Sequence, residues 1–187
     1  GMPGMNFVMT ISTLDCTGCG SCVNVCPGMK GNKALAMSPI DDERPGQEVF
    51  DYGVKLDPKP EVLAKFKDTT IKGSQLRQPL LEFSGACGGC GETPYAKLVT
   101  QLFGDKMFIA NATGCSSIWG GSAPATPYTV NKKGHGPAWQ NSLFEDNAEF
   151  GLGMTLAQNA VRGRLAQLTK ELIAIDYCTA ELKEAGQ

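Results

Sequence analysis

The sequence predicts two structural classes in one chain, an α+β region rich in cysteine followed by an α/β region. Three observations lead to this prediction. Four cysteines recur at short intervals in "DCTGCGSCVNVCPG" (15–28). Apolar residues recur at helical spacing after residue 94. The run "MFIANAT" (107–113) has the pattern of a buried strand, and a long helical segment follows it at about 149–174.

Composition excludes several functions. The 187 residues carry a formal net charge of −2, and the isoelectric point is about 5.5. Because lysines and arginines are scattered, a nucleic-acid or membrane-surface partner is not expected. The apolar runs are far shorter than the roughly 20 residues that a membrane span needs. The stretch "GMPGMNFVMTIS" has no basic region before an apolar core, so we expect a cytoplasmic protein without a secretory signal.

Three zones differ in composition. Residues 1–44 begin with the strand-like run 7–11 and contain the four clustered cysteines. Residues 45–83 form a connector punctuated by proline and lysine, whose apolar residues show little periodicity; it is expected to wrap over a larger body rather than to build a core. Residues 84–187 have the alternating helix and strand pattern of an α/β domain.

The third zone contains specific helix and strand signals. Thr93 is a candidate N-cap with Pro94 at the first helical position, and Gly104 ends the helix. Residues 114–115 follow the predicted strand, at the edge where α/β sheets place ligands. The predicted apolar face of the first helix consists of Tyr95, Leu98, Val99, Leu102 and Phe103. For the long helix, a capping box is expected from Ser142 with Glu145 or from Asp146 with Glu149, in or beside the acidic stretch "FEDNAEF".

The first cysteine motif has the spacing of a bacterial ferredoxin. Its ligands to a [4Fe–4S] cluster are expected to be Cys16, Cys19, Cys22 and Cys26, with Pro27 turning the chain away. Gly18 and Gly20 allow backbone N–H groups to approach the sulfides. A zinc knuckle is the alternative, but zinc sites usually pair two distant ligand pairs. Four independent disulfides do not suit such close spacing, which favours a reducing compartment.

In two-cluster ferredoxins the fourth cysteine of this motif ligates the other cluster. The second cluster then needs a sister motif, and no cysteine precedes Cys16 in the printed sequence. The sequence therefore predicts one half of a two-cluster ferredoxin domain.

A second set of cysteines lies in the third zone. Cys87 and Cys90 occupy the glycine-rich loop "SGACGGCGETPY" (84–95), and Cys115 follows the predicted strand. Three thiolates can belong to another cluster that lacks one ligand. A zinc ribbon short of one ligand, or free thiols beside a glycine turn, remain the alternatives.

The third zone also carries a family resemblance. The stretch "GSQLRQPLLEFSGACGGCGETPYAKLVTQLFGDKMFIANATGCSSIWGGSAPATPYT…GPAWQNSLFEDNAEFG" closely resembles pyruvate:ferredoxin (flavodoxin) oxidoreductase. The likeness runs from about residue 6 to 174. It covers the second half of that family's ferredoxin domain (1–44) and, after the connector (45–83), the start of its thiamine-diphosphate-binding α/β domain (84–187). The resemblance thus implies an internal fragment of a longer polypeptide.

The resemblance assigns roles to particular residues. Cys87, Cys90 and Cys115 match three ligands of the cluster nearest the thiamine cofactor, and the fourth family ligand lies beyond residue 187. Glu92 matches a glutamate that contacts thiamine diphosphate, and Cys115 matches a residue that touches this cofactor as well as iron. The family's "GDG…N" segment, which holds Mg²⁺ and the diphosphate, is not present in the printed sequence.

The resemblance also implies an activity. The parent enzyme would decarboxylate pyruvate with thiamine diphosphate, form acetyl-CoA from coenzyme A, and pass electrons through [4Fe–4S] clusters to ferredoxin or flavodoxin. The parent is expected to be a homodimer, and the 187 residues alone are expected to be inactive. The alternative is a stand-alone iron–sulfur electron carrier or cluster-binding module without catalysis.

Four other residues have simpler interpretations. Cys178 is expected to be a free thiol, with a substitute fourth ligand as the alternative. His135 has no acidic or nucleophilic neighbour in the sequence and is expected to lie in a loop. Trp119 and Trp139 are expected to be packing anchors.

Overall fold

The computed structural model describes residues 2–28, 31–121, 126–144, 147–175 and 178–186. The chain divides into two compact units: Gly1–Met107 with Ile118–Pro137, and Phe108–Ser117 with Ala138–Gln187. It combines helices with a small parallel sheet. In the described ranges, no helix has both the length and the apolar character needed to cross a membrane.

The first unit consists mainly of short helices joined by loops. The α-helices in the described part of the first 107 residues are α1 (Ser21–Asn24), α2 (Ile40–Glu43), α3 (Gly46–Gly53), α4 (Pro60–Lys65), α5 (Ile71–Ser74) and α6 (Thr93–Phe103). Among the residues that the structure describes, the buried apolar side chains are Leu80, Leu81 and Trp119. Around them residues 80–82 run antiparallel to 127–129, with Thr129 N–H donating to Leu80 O at 3.0 Å and Glu82 N–H to Pro127 O at 2.8 Å.

The connector (45–83) contributes helices and buried side chains to the first unit, which the sequence did not indicate. It contains α3, α4 and α5, and its last residues carry Leu80 and Leu81, which are only 4% and 2% exposed. The expectation that residues 45–83 build no core is therefore wrong. Periodicity failed here because Leu80 and Leu81 follow α5 in an irregular segment, where apolar residues do not recur at a fixed spacing.

Helix α6 begins and ends close to the predicted positions, but it buries a different face. Glu92 takes the N-cap position predicted for Thr93, and Gly104 ends the helix as expected. The predicted apolar face is largely solvent-exposed, with Tyr95 at 72%. Thr100 and Gln101 are buried instead, because their side chains bond the backbone of the preceding segment: Leu80 N–H donates to Thr100 Oγ1 at 3.1 Å, and Gln101 Nε2 donates to Arg77 O at 2.9 Å.

The second unit contains the sheet. β1 (Phe108–Asn111) and β2 (Ala138–Asn141) are parallel, with Phe108 opposite Ala138 and Asn111 opposite Asn141. Asn111 is buried, and its Nδ2 donates to Asn141 Oδ1 at 2.8 Å. The predicted strand after residue 107 is thereby confirmed. β2 was not predicted, because its four residues, which follow a glycine- and lysine-rich loop, are too few to show a strand pattern.

Helix α7 (Cys115–Gly121) follows β1 along the chain. Helix α8 (Ala148–Ala174) confirms the long helix predicted for 149–174. Asn147 precedes it, and its Nδ2 donates to Ala110 O at 2.8 Å, which ties the start of the helix to β1. Both predicted capping boxes include a residue, 145 or 146, that lies outside the described ranges. The apolar side of α8 is exposed, as Leu156 at 59% illustrates. A shorter helix, α9 (Ala180–Ala185), follows.

The strand expected at residues 7–11 is absent. The segment is irregular in the structure, and Phe7 and Val8 are 79% and 70% exposed. A strand exists only when a second strand accepts and donates its backbone hydrogen bonds, and no described segment pairs with this one.

Candidate metal centre and cofactor site

The first motif is an irregular loop around one helical turn. Gly18 and Gly20 both adopt positive φ, at 69° and 73°, a backbone conformation that other residues rarely adopt. Helix α1 starts at Ser21 directly after the second of these glycines. The resulting turns leave Cys16, Cys19 and Cys22 exposed as free thiols. Since free cysteine is among the most buried residue types, this exposure points to chemistry rather than packing.

Polar groups surround two of these thiols. The Cys19 thiol donates to Ser21 Oγ at 3.4 Å, and the Ser21 hydroxyl, followed by the Ser21 N–H, lowers the pKa of Cys19 by stabilising the thiolate. Ala34 N–H donates to Cys26 Sγ at 3.2 Å and is the main cause of the lowered pKa of Cys26. The thiolate is the form that binds metal, so these contacts favour ligation.

A cavity of about 610 Å³ adjoins the same loop. Cys16 and Cys22 line it together with Gly18. The other side is apolar and comes from the segments on either side of the motif, including Val8, Ile11, Leu35 and Ile40. The cavity is open to solvent, since Val8 and Ile11 in its lining are exposed.

The second loop delivers Cys87 and Cys90 to the start of α6. Gly89 has a φ of 73°, and the Cys90 N–H donates to Cys87 O at 3.0 Å, so the loop closes on itself. The Cys90 thiol meets the first backbone N–H groups of the helix. The N–H of Glu92, and then that of Thr93, lower the pKa of Cys90, while the Glu92 carboxylate opposes them.

Glu92 itself is oriented by a buried side chain. Trp119 is only 7% exposed, and its Nε1–H donates to Glu92 Oε2 at 3.2 Å. The carboxylate is thus held at one oxygen. Trp119 is buried, as expected of a packing anchor, but its hydrogen bond to Glu92 was not predicted. The pair is separated by 27 residues, and no local pattern connects them.

Cys115 lies in the second unit. It starts α7 (Cys115–Gly121) just beyond the end of β1, as predicted, and its thiol is exposed. Across the described ranges, no three or more His, Cys, Asp or Glu side chains are gathered as a metal site. By donor chemistry the thiols nevertheless fit iron and sulfide, because thiolates are the ligands of such clusters and Cys26 accepts an N–H···S bond of the kind that tunes their potential. The ligand sets stay predictions.

Two residues set aside in the sequence lie away from these loops. His135 is exposed in the turn after Asn131, whose Oδ1 accepts from the His135 N–H at 3.1 Å. Cys178 is a half-buried free thiol before α9.

Comparison with known proteins adds independent information. Residues 9–28 match the family model of the 4Fe-4S binding domain, and this range includes all four cysteines of the first motif. The chain is 61% identical over 180 residues to the pyruvate-flavodoxin oxidoreductase of Klebsiella pneumoniae. It is 64% identical over 155 residues to the pyruvate:ferredoxin oxidoreductase of Moorella thermoacetica. The resemblance to this family is confirmed.

The matches cover most of this chain but little of each relative. They span 96% and 82% of the chain, and 15% and 13% of the two relatives. The pyruvate dehydrogenase (NADP+) of Cryptosporidium parvum is also similar, at 54% identity over 94% of this chain and 9% of the relative. Similar segments therefore occur in enzymes whose names give different electron acceptors, namely flavodoxin, ferredoxin and NADP+.

Proposed function

We propose that this chain supplies the electron path, and part of the cofactor pocket, of a pyruvate oxidoreductase that passes electrons to ferredoxin or flavodoxin. The observation that carries the proposal is the identity of 61% and 64% to two oxidoreductases of this kind over most of the chain. The match of residues 9–28 to a 4Fe-4S binding domain supports it. In the same proposal the chain is part of a longer polypeptide, and that parent enzyme is soluble, cytoplasmic and homodimeric.

In this proposal the cysteines hold [4Fe–4S] clusters. The first motif (16–26) contributes three thiolates to one cluster and Cys26 to another, following the ferredoxin rule. Cys87, Cys90 and Cys115 contribute to a further cluster beside the thiamine cofactor. Backbone N–H groups, such as that of Ala34 toward Cys26, stabilise the thiolate charge and so raise the reduction potential.

Two residues, Glu92 and Cys115, are proposed to line the cofactor pocket. When bound, thiamine diphosphate with Mg²⁺ supplies the electron sink for decarboxylation of the 2-oxo acid, and coenzyme A accepts the acetyl group. Glu92 offers an oriented carboxylate to this cofactor, since Trp119 holds one of its oxygens. Cys115, next to the end of β1, would lie against the cofactor and the cluster at once.

Iron content tests the cluster assignment. After anaerobic reconstitution of the 187-residue chain with iron and sulfide, we expect brown, oxygen-labile protein with less than full iron, because each predicted site lacks at least one thiolate. Cys22→Ser should lower the iron per chain by roughly twofold or more, since it removes one of the three thiolates that the first motif contributes to a single cluster.

Cys178→Ser is the matched control and should leave iron content unchanged. Tight binding of one zinc per chain, without brown colour, would contradict the cluster assignment. Full, stable iron occupancy that supports electron carriage by the chain alone would instead favour a stand-alone electron carrier.

A further inference from the structure

The two cysteine motifs touch each other within the first unit. The loop at 87–90 presents two adjacent glycines to the first motif. A Cβ atom built on Gly88 would lie 2.8 Å from Cys19 Cβ and 3.9 Å from Cys19 Sγ. One built on Gly89 would lie 3.1 Å from Ser21 Oγ. The backbone of the second loop therefore packs directly on a thiol-bearing residue of the first.

Helix α3 supports both motifs. Gln47 Oε1 accepts from Leu14 N–H at 3.0 Å and from the Ser12 hydroxyl at 3.1 Å, which holds the chain as it enters the first motif. One turn later on the same helix, the ring of Phe50 lies 5.9 Å from that of Phe83, just before the second loop. One short helix thus ties down the entry to each motif.

We propose that Gly88 is a positioning residue, whose lack of a side chain lets the two motifs touch so that an electron passes directly between the clusters they bind. This rests on the function proposed above, which supplies the electrons from pyruvate. When bound, the clusters would supply one-electron chemistry: the one held by the second loop would be oxidised as the one held by the first motif is reduced, and Gly88 would keep the two loops in contact. No bond forms or breaks.

The requirement for glycine follows from the atom that a side chain would meet. Cys19 Cβ is attached to the backbone and cannot rotate away, so a methyl group at position 88 must push the loops apart. Electron tunnelling slows steeply with separation. Gly89 is a less clean probe, because its φ of 73° makes any substitution strained.

A disulfide tests the contact without any cluster. Disulfides need Cβ atoms roughly 3.5–4.5 Å apart, which a small loop shift provides at this position. In the metal-free 187-residue chain treated with diamide, Gly88→Cys should form a disulfide with Cys19 in roughly tenfold or greater excess over Gly85→Cys. Gly85 is the matched control, since a Cβ there has no neighbour within 4 Å. Equal yields of the Cys19 disulfide, or none from Gly88→Cys, would overturn the contact.

Spectroscopy tests the electron route. In the reconstituted chain reduced by dithionite, magnetic coupling between clusters should broaden the electron paramagnetic resonance signal in the wild type and in Gly85→Ala. The coupling should be measurably weaker in Gly88→Ala at unchanged iron content, because dipolar coupling falls with the cube of the separation between the clusters. Coupling of the same strength in Gly88→Ala and in the wild type would overturn the proposal. A chain that forms the disulfide but takes up no iron would contradict the proposed function, and with it the electron route, while the contact at Gly88 stands.

Discussion

Individual thiols in this chain differ in what surrounds them. The Cys19 thiol has the Ser21 hydroxyl as its main partner, Cys26 has the Ala34 N–H, and Cys90 has the first N–H groups of α6. In each case the surrounding groups stabilise the thiolate and lower the pKa. A lowered pKa raises the share of thiolate at a given pH, and the thiolate is the form that binds a metal.

Alkylation should report this effect at Cys19. Because iodoacetamide reacts with the thiolate, the reaction at Cys19 should reach half its maximal rate at a lower pH than in an unfolded peptide. Ser21→Ala removes the largest cause of the lowered pKa and should shift that midpoint upward. Peptide mass spectrometry of the metal-free chain across pH measures it, with Cys178 as the internal control.

The lowered pKa of Cys19 also affects the stability of the fold. A thiol whose folded pKa is lowered stabilises the fold above its unfolded pKa, and that contribution is lost as the pH falls through the folded value. Ser21→Ala should therefore reduce the pH dependence of unfolding on the alkaline side. An unchanged alkylation midpoint would show that the hydroxyl does not contribute.

At the scale of elements, α6 shows how local pattern and packing diverge. Its limits were predictable, because proline is favoured in the first turn of a helix and glycine just after its last residue, as Pro94 and Gly104 are here. Its buried face was not, because Thr100 and Gln101 are polar and owe their burial to hydrogen bonds with residues about 20 positions earlier. Periodicity of apolar residues cannot reveal such a contact.

The buried hydrogen bond to Thr100 should matter for stability. Thr100→Val keeps the shape of the side chain but leaves the buried Leu80 N–H without its acceptor, which should cost about 1–3 kcal/mol. Urea unfolding followed by circular dichroism measures the change. Thr155→Val is the matched control: the Thr155 hydroxyl donates to Gly151 O on an exposed face of α8, and its loss should change stability by no more than about 0.5 kcal/mol. Equal effects of the two substitutions would contradict this role for Thr100.

At the scale of the whole molecule, most predicted ligands fall in one unit. The first motif and the 87–90 loop belong to the first unit, which also contains Glu92 and Trp119. Cys115 belongs to the second, at the end of its two-stranded sheet. The two units do not coincide with the three zones of the sequence, since the third zone (84–187) contributes to both units. The zones remain a prediction about domain boundaries.

The cofactor prediction belongs to this scale. In the proposed function Glu92 would contact thiamine diphosphate, but the printed sequence lacks the "GDG…N" segment that, by the family resemblance, holds the diphosphate. Each lost charge-assisted contact is worth about 1.5–3 kcal/mol. The 187-residue chain should therefore bind thiamine diphosphate with Mg²⁺ more weakly than about 1 mM.

Calorimetry under anaerobic conditions measures that binding. Glu92→Gln should show the same absence of heat as the wild type, and neither chain should reduce a viologen dye with pyruvate. Micromolar affinity in the wild type that is lost in Glu92→Gln would mean that these residues form a complete pocket.

The amino-acid sequence by itself determined which chemistry to expect of this protein. The spacing of Cys16, Cys19, Cys22 and Cys26 indicates a cluster-binding motif, and residues 9–28 match a 4Fe-4S binding domain, because the spacing of such a motif is a local property of the sequence. The same holds for the limits of α8, which follow from a long local pattern. Only the tertiary structure decided what lies against what: Trp119 on Glu92 and Gly88 on Cys19. Those contacts join residues tens of positions apart, and they depend on packing that no local pattern encodes.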